Sequence, residues 1–311
     1  DGNLEGTSLL MATGAANGRF TKKFIRESTS GCTQLTIDIG GLTGAHIQFM
    51  ERQLANAIKI VARVLYYIGK EVPFRLVSFD GGSITTIPVN AAAKIALSAS
   101  DIEKAKAIAE RVVDEVKFEH KESDPKMLLS FPEHADSSVA ISANVTKDII
   151  NLLHMLPAGL VDTSLVFPGL PVSSFSLETI DTKEDCITWF YRSQSAITSK
   201  MLDMNERTRV MASLYGIDYE AENYFYGHNV YAHTPLYNVY DEVWSEQTGK
   251  HIRPIGAHYG NEIGFFIKKM PWLDMILLVA THYDAHTPNE KLDLESFDRC
   301  YKCLVEILAR I

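Results

Sequence analysis

Hydrophobic residues in the first two thirds of the chain follow two periods, the alternation typical of strands and the three-to-four spacing typical of helices. Residues 32–41, 74–82 and 92–100 are strand-like, and the last two are expected to pair. Helical spacing joins Ile47, Met50, Leu54, Ile58, Val61 and Leu65. We therefore predict one helix with a single buried side between the first two strands.

The next part of the chain continues with clear helix and strand signals. Ser100 and Glu103 match a capping box and predict the start of a second helix. Residues 126–133 contain a further strand, and 146–156 and 199–215 are helical. Residues 173–180 and 185–193 form a hairpin around the turn 181–185. Neighbouring strands with helices gathered on one face predict an α+β unit.

The pattern changes after about residue 216, where an aromatic loop precedes a helix at 235–249. Strand-like residues 251–257, a short helix after 261–264 and the apolar run 275–281 follow. That run is typical of a parallel strand buried on both faces. Asp293 is expected to cap a last helix with a buried face made of Phe297, Tyr301, Leu304 and Leu308. One or two such strands are too few for a whole α/β domain.

Composition narrows the class of protein. The net charge is −9, which argues against a nucleic-acid partner. No apolar run reaches the roughly 18–20 residues that span a membrane, and there is no secretory leader, so we expect a cytoplasmic protein. Cys300 and Cys303 form a lone C-x-x-C inside an amphipathic helix, where we expect them only to pack. Because the chain starts at Asp1 without Met, we expect a fragment of a longer protein.

Candidate chemistry gathers in four places. The loop after 275–281 carries His282, Asp284, His286 and Glu290, and ligands bind beyond the carboxyl ends of such strands. His286, beside a Thr-Pro turn, is the better metal ligand of that loop. His258 and Glu262 follow a strand, His46 follows glycine-rich turns, and Arg192 ends a strand where its paired donors could hold a carboxylate. Taken singly, each is more often an ordinary surface residue.

Taken together and in order, these segments resemble the aminoacyl-histidine (Xaa-His) dipeptidases, relatives of carnosinase among the di-zinc metallopeptidases. The resemblance is carried by GGLTGAHIQF at 40–49, by the double glycine and Ile-Pro of 75–95, and above all by 258–297. It implies an α/β catalytic portion, incomplete here, with an inserted α+β lid and dimerisation domain. Residues 1–18 and 213–311 would belong to the catalytic domain and residues 19–212 to the lid.

The resemblance also implies roles for single residues. Asp1 and His286 match metal ligands, one for each of two zinc ions, with Mn or Co as possible substitutes. His46 matches the lid histidine that stabilises the oxyanion, and Arg192 the arginine that binds the peptide's terminal carboxylate. His258 and Glu262 match a stretch beside the substrate. The implied activity is metal-assisted hydrolysis of dipeptides, in a homodimer formed through the lid.

Departures from the family pattern leave alternatives open. The family has His-Ser-Gly where this chain has His46-Ile47-Gln48, and Thr85 and Thr86 replace an asparagine expected at the substrate. The remaining metal ligands and the general base belong to the family's N-terminal half, which this chain lacks, so we expect it to be inactive alone. One alternative is a degenerate, non-catalytic homologue that serves peptide binding or dimerisation. Another is an α/β protein with a chance likeness.

Overall fold

The computed structural model describes residues 4–133, 137–229, 234–284 and 288–311. The strands are β1 Thr7–Ala12, β2 Gly14–Lys23, β3 Arg26–Ser28, β4 Thr33–Gly40, β5 Phe74–Gly82, β6 Ala91–Leu97, β7 Leu128–Ser130, β8 Val139–Ile141, β9 Gly159–Thr163, β10 Pro171–Thr182, β11 Cys186–Ser195, β12 Asp218–Phe225, β13 His228–Asn229, β14 Arg253–Ala257, β15 His282–Tyr283 and β16 Lys291–Leu292. The helices are α1 Ala57–Gly69, α2 Ile102–Glu119, α3 Ala143–Met155, α4 Thr198–Leu214, α5 Pro235–Thr248, α6 Ile263–Lys269 and α7 Leu294–Arg310. Among the described helices, none combines the length and the apolar character that a bilayer crossing requires.

A large antiparallel sheet organises most of the chain. Its strand order is β12-β2-β11-β10-β5-β6-β4-β7. Strand β9 pairs with the first part of β10, from Pro171 to Phe175. The predicted hairpin is confirmed, because β10 and β11 pair antiparallel. The pairing runs from Ser173 opposite Ser195 to Thr182 opposite Ile187. The predicted pairing of β5 with β6 is confirmed as well.

The two faces of this sheet differ in chemistry. Along β11, Ile187, Trp189 and Tyr191 join a hydrophobic cluster that also contains the buried residues of α1, α2 and α3. Because side chains alternate along a strand, Arg192 and Gln194 point to the opposite face. The helices therefore cover an apolar face, and polar side chains occupy the other.

A second, smaller sheet stands beside the polar face. It has the order β13-β1-β14, with β1 and β14 parallel. Helices α5 and α7 pack together and share a cluster with Leu10, Tyr240 and Ile307. The chain passes between the sheets at Thr13 and again at 226–227. The division of the chain at residues 18 and 212 stays a prediction.

The prediction of one continuous helix from Ile47 to Leu65 is wrong, because two separate helices form there. A short 3-10 helix, Ile47–Arg52, ends at Gln53 in the left-handed region, and α1 begins only at Ala57. Asn56 interrupts the helix because its side-chain oxygen accepts from Lys59 N and its amide donates to Leu177 O. An asparagine that bonds the backbone in this way caps a helix instead of continuing one.

The capping box of Ser100 and Glu103 is also wrong. A single 3-10 turn, Ala99–Asp101, precedes α2, and α2 has no side-chain cap. The Ser100 hydroxyl pairs instead with the Ser98 hydroxyl at 2.8 Å. The helix itself forms and buries Ala105, Ile108, Val112 and Val116, while Ile102 at its start is only partly buried.

The apolar run 275–281 was expected to be a strand buried on both faces, and that prediction is wrong. These residues form no regular element, and those from 275 to 280 are only half-buried. The run still alternates, because Ile276 and Leu278 pack on the α5–α7 cluster and Leu277 packs beside Leu9. An apolar run indicates burial, but a strand also needs a neighbour to supply ladder hydrogen bonds.

Helix α7 has its predicted cap, since Asp293 accepts from Ser296 N at 3.0 Å. Its predicted buried face is wrong, because Phe297, Tyr301, Leu304 and Leu308 are 42–61% exposed. The buried positions are Ser296, Cys300, Cys303 and Ile307, one residue earlier and about 100° around the axis. The two cysteines pack inside, as predicted, and burial raises the pKa of each thiol to about 11.

A buried lysine joins α1 to the end of α3. The Lys59 ammonium donates to the carbonyls of Leu153, His154 and Leu156, at 2.5, 3.0 and 2.5 Å. The last carbonyls of a helix lack partners within the helix and carry partial negative charge, so a cation is favourable there. Burial lowers the pKa of Lys59 to about 8, which still leaves the group mainly charged at pH 7.

Replacing Lys59 with methionine should lower the free energy of unfolding by about 2–4 kcal/mol, because three buried carbonyls lose their donor. Urea unfolding followed by circular dichroism measures the change. Lys117→Met is the matched control, since Lys117 is exposed and pairs only with Asp114. Equal midpoints for the two variants would contradict the proposed role of Lys59.

Candidate functional site

A cavity of about 230 Å³ lies where the polar face of the large sheet meets the small sheet. Its lining brings together three residues that were chosen from the sequence, His46, Arg192 and His258. They come from the loop before the 3-10 helix, from β11 and from the end of β14. The other polar lining residues are Thr13, Gln48, Thr85, Gln194 and Tyr259.

Two loops joined by backbone contacts hold His46 at the edge of the cavity. Ile47 N donates to Thr85 O at 3.0 Å, and Ile87 N donates to Ala45 O at 2.8 Å. His46 also forms a bridge with Thr86. The loop that carries His46 therefore follows the position of residues 85–87.

The ring of His46 has a defined proton arrangement. Its Nδ1 accepts from Gln48 N at 3.2 Å, so the proton of the neutral ring lies on Nε2. Partial burial lowers the pKa of His46, and the Arg192 guanidinium lowers it further, while Glu178 opposes them. The imidazole is thus neutral near pH 7, with an N–H donor on Nε2 that can bind an oxygen.

Arg192 is held in place by an acidic residue beneath it. Its Nε lies 2.7 Å from Glu178 Oε1 and its Nη2 lies 3.4 Å from Oε2. The Glu178 side chain is wholly buried, and that of Arg192 is 14% exposed. The Nη1 amino group is not part of this ion pair. A guanidinium fixed in this way can still present donors to a carboxylate in the cavity.

His258 lines the cavity, but both of its ring nitrogens are hydrogen-bonded to other groups of the chain. Its Nδ1 is 3.1 Å from Pro171 O, which can only accept, so Nδ1 carries the proton. Its Nε2 then accepts from the Ser174 hydroxyl at 2.8 Å. Burial lowers the pKa of His258 to about 4. This residue ties the small sheet to β10, and both of its nitrogens are used within the chain.

The remaining predicted residues lie away from this cavity or outside the described ranges. Glu262 is exposed, precedes α6 and does not line the cavity. Asp1 and His286, the two predicted metal ligands, fall outside the described residues. Across 4–133, 137–229, 234–284 and 288–311, no three His, Cys, Asp or Glu side chains cluster as a metal ion requires. The described residues alone do not make up a di-metal centre.

Glu178 is the site residue that sequence reasoning missed. It occupies a break in the β10–β11 register, where Leu177 pairs with Tyr191 and Thr179 with Phe190. Such a bulge re-aims a side chain beside a functional site. One signal was available, because Glu178 and Arg192 place opposite charges on the two strands of the predicted hairpin.

Comparisons with known proteins agree on one family and one fold. The model of peptidase family M20/M25/M40 matches residues 19–310. The cytosol non-specific dipeptidase of Escherichia coli (strain K12) is 26% identical over 273 residues, which cover 88% of this chain and 56% of that protein. The crystal structure of aminoacylhistidine dipeptidase from Vibrio alginolyticus superposes with a TM-score of 0.90 at 23% identity, over 99% of this chain and 63% of that one. The chain therefore spans about three fifths of the length of these relatives.

The buried, neutral His258 should make stability depend on pH. Its pKa is about 4 in the folded protein and 6.5 when exposed, so the unfolded state binds more protons between those values. The free energy of unfolding should therefore fall by about 3 kcal/mol, from this residue, as pH drops from 6.5 to 4.

Urea unfolding at several pH values between 4 and 7 measures this loss. His258→Gln should show a shallower decline than the wild type across that window. His251→Gln, at an exposed histidine, is the control and should keep the wild-type slope. A His258→Gln slope equal to that of the wild type would contradict the assignment.

Proposed function

Because the chain belongs to peptidase family M20/M25/M40, we propose that the protein it forms part of is a metallo-dipeptidase that hydrolyses dipeptides, of Xaa-His or broader specificity. The name of the Escherichia coli relative supports dipeptides as the substrate class. The observation that carries the proposal is the cavity that joins Arg192, His46 and His258.

In this proposal Arg192 binds the terminal carboxylate of the dipeptide. Glu178 orients the guanidinium, whose remaining donors can pair with the two carboxylate oxygens. A fixed charged anchor at one end of the substrate places the peptide bond at a set distance from it. Dipeptides would be selected because the carboxylate of a longer peptide lies farther from the bond to be cleaved.

His46 would act at the scissile peptide bond of the substrate. Its Nε2–H is the donor left after Nδ1 accepts from Gln48 N. Such a donor can bind the carbonyl oxygen of the scissile bond and stabilise the negative charge that develops there. We propose that His258 supports this cavity by positioning the small sheet against β10. A substrate contact for Glu262 stays a prediction.

We propose two zinc ions as the metal cofactor, with manganese or cobalt as substitutes. Asp1 and His286 would each supply one ligand, and the other ligands and the general base would come from an N-terminal half that this chain lacks. The metals would supply an activated water and polarise the carbonyl. On this proposal the chain is inactive by itself.

The exposed surface of α7 supports the proposal that a further segment of the protein packs on it. Phe297, Tyr301, Leu304 and Leu308 form an exposed apolar stripe. Contiguous apolar surface of this kind usually marks an interaction site. We propose that the remaining part of the catalytic domain covers it. We also propose a homodimer formed through the lid, on the basis of the family resemblance. The name of the Escherichia coli relative supports a cytoplasmic location.

The full-length protein with added zinc or manganese should hydrolyse Xaa-His dipeptides. Arg192→Lys keeps the charge but loses the planar fork, so KM for a dipeptide should rise about tenfold or more. The C-terminal amide of the same dipeptide should be affected much less. Arg111→Lys, at an exposed arginine on α2, is the matched control.

No turnover by the full-length wild type would contradict the enzyme proposal. The alternative is a non-catalytic, peptide-binding or dimerising homologue, which the sequence His46-Ile47-Gln48 and the threonines at 85 and 86 favour. A metal analysis of the full-length protein separates the two, because the alternative predicts no bound zinc, manganese or cobalt.

The isolated chain should self-associate through the α7 stripe. In sedimentation velocity its mean mass should rise with concentration, and a triple variant, Phe297→Ser, Tyr301→Ser and Leu308→Ser, should reduce that rise. Leu165→Ser with Val166→Ser is the control, since both residues are exposed in a loop far along the chain from α7. A wild-type chain that stays monomeric at about 100 μM would contradict the idea of a missing cover.

A further inference from the structure

Within the described ranges, Glu178 is the most deeply buried carboxylate, and its side chain has no solvent exposure. Burying an ionised carboxylate is strongly unfavourable unless partners satisfy it. The bulge at this position and a close backbone approach by Gly82 hold it in place. A Cβ on Gly82 would lie 2.0 Å from Glu178 O, and Gly82 has φ +80, so only glycine fits there. Glu178 does not line the cavity itself.

The first partner of Glu178 is Arg192. The carboxylate grips the guanidinium through Nε and Nη2, at 2.7 and 3.4 Å. The Phe190 ring lies 5.4 Å from the guanidinium carbon. These contacts leave the guanidinium plane little freedom to turn, and Arg192 itself lines the cavity.

The second partner is the backbone of Thr85, which donates to Glu178 Oε2 at 2.6 Å. Thr85 has φ +66, a conformation that is strained for a β-branched residue. Such strain persists only where the surroundings over-determine it. The charged hydrogen bond to Glu178 is one such restraint.

Thr85 passes this restraint on to His46. The carbonyl of Thr85 accepts from Ile47 N, directly after His46 in the chain, and Thr86 bridges to His46 itself. A single carboxylate is therefore bonded to both parts of the site. Its Oε1 accepts from Nε of Arg192, the anchor for a substrate carboxylate, and its Oε2 accepts from Nη2 of Arg192 and from the strained loop that carries the imidazole donor.

We infer that Glu178 is a positioning residue that sets the distance between the carboxylate anchor, Arg192, and the oxyanion donor, His46. The inference rests on the proposed function. It predicts that the charge of Glu178 matters for discrimination between substrates, as well as for folding, although the residue never touches the substrate.

The test uses the full-length protein with its metal. Glu178→Gln keeps the shape but removes the charge, so one amide oxygen must serve both partners. We expect kcat/KM for a dipeptide to fall about tenfold to a hundredfold, as a small misplacement of reacting groups does. For the C-terminal amide of that dipeptide we expect a change below about threefold, so the preference for a free carboxylate shrinks. Glu184→Gln, exposed in the turn of the same hairpin, is the matched control and should match the wild type.

A folding defect is separated by a second variant and a second measurement. Glu178→Asp keeps the charge but is one methylene shorter, so we expect it to fold and to lose part of the preference. In the full-length protein, the amide signals of Thr85 and Ile47 and the ring signals of His46 should shift together in Glu178→Gln. A folded Glu178→Gln or Glu178→Asp with wild-type preference and unchanged signals would overturn the inference.

Failure of the proposed function looks different from failure of this inference. A wild-type protein without dipeptidase activity removes the substrate part of the argument. The coupled shifts of Thr85, Ile47 and His46 would still test the positioning part. If the wild type is active and the two Glu178 variants match it in preference, the proposed function stands and the positioning role does not.

Discussion

A carboxylate buried without solvent, Glu178, is the constraint on which the candidate site depends. Its charge requires partners, and within the described ranges these are the Arg192 guanidinium and the backbone N–H of Thr85. Both partners border the same cavity. The need to satisfy one buried charge thus brings a cation and a histidine-bearing loop to the same place. Replacing such a pair with apolar residues often costs a fold little, so its presence here points to the site.

The site also depends on how the two sheets meet. The polar face of the large sheet supplies Arg192 and Ser174, and the small sheet supplies His258, whose ring is bonded to Ser174 and to Pro171 O. A histidine kept neutral by burial can make both bonds without a counter-charge. His258 therefore joins the two sheets through neutral hydrogen bonds, and the charged pair of Arg192 and Glu178 lies at the cavity.

The exposed stripe of α7 and the half-buried run 275–281 share one cause. Both are apolar, and both lie where the described residues provide cover on one side only. The buried stripe of α7 has two neighbours, because Cys303 and Ile307 join the cluster with α5, while Ser296 and Cys300 bond to the backbone of Thr281 and Val279. The larger side chains remain outward, available to a further packing partner.

Local patterning was enough to determine the β10–β11 hairpin, the pairing of β5 with β6, and most helices, because alternation and turn residues act over a few positions. The sequence also identified His46, Arg192 and His258, which the fold brings to one cavity. Tertiary structure alone decided which stripe of α7 is buried, where Asn56 breaks a helix, and that Glu178 lies beneath the site. Those outcomes depend on neighbours distant in the chain, and a periodic pattern shows that a face is apolar without showing what packs on it.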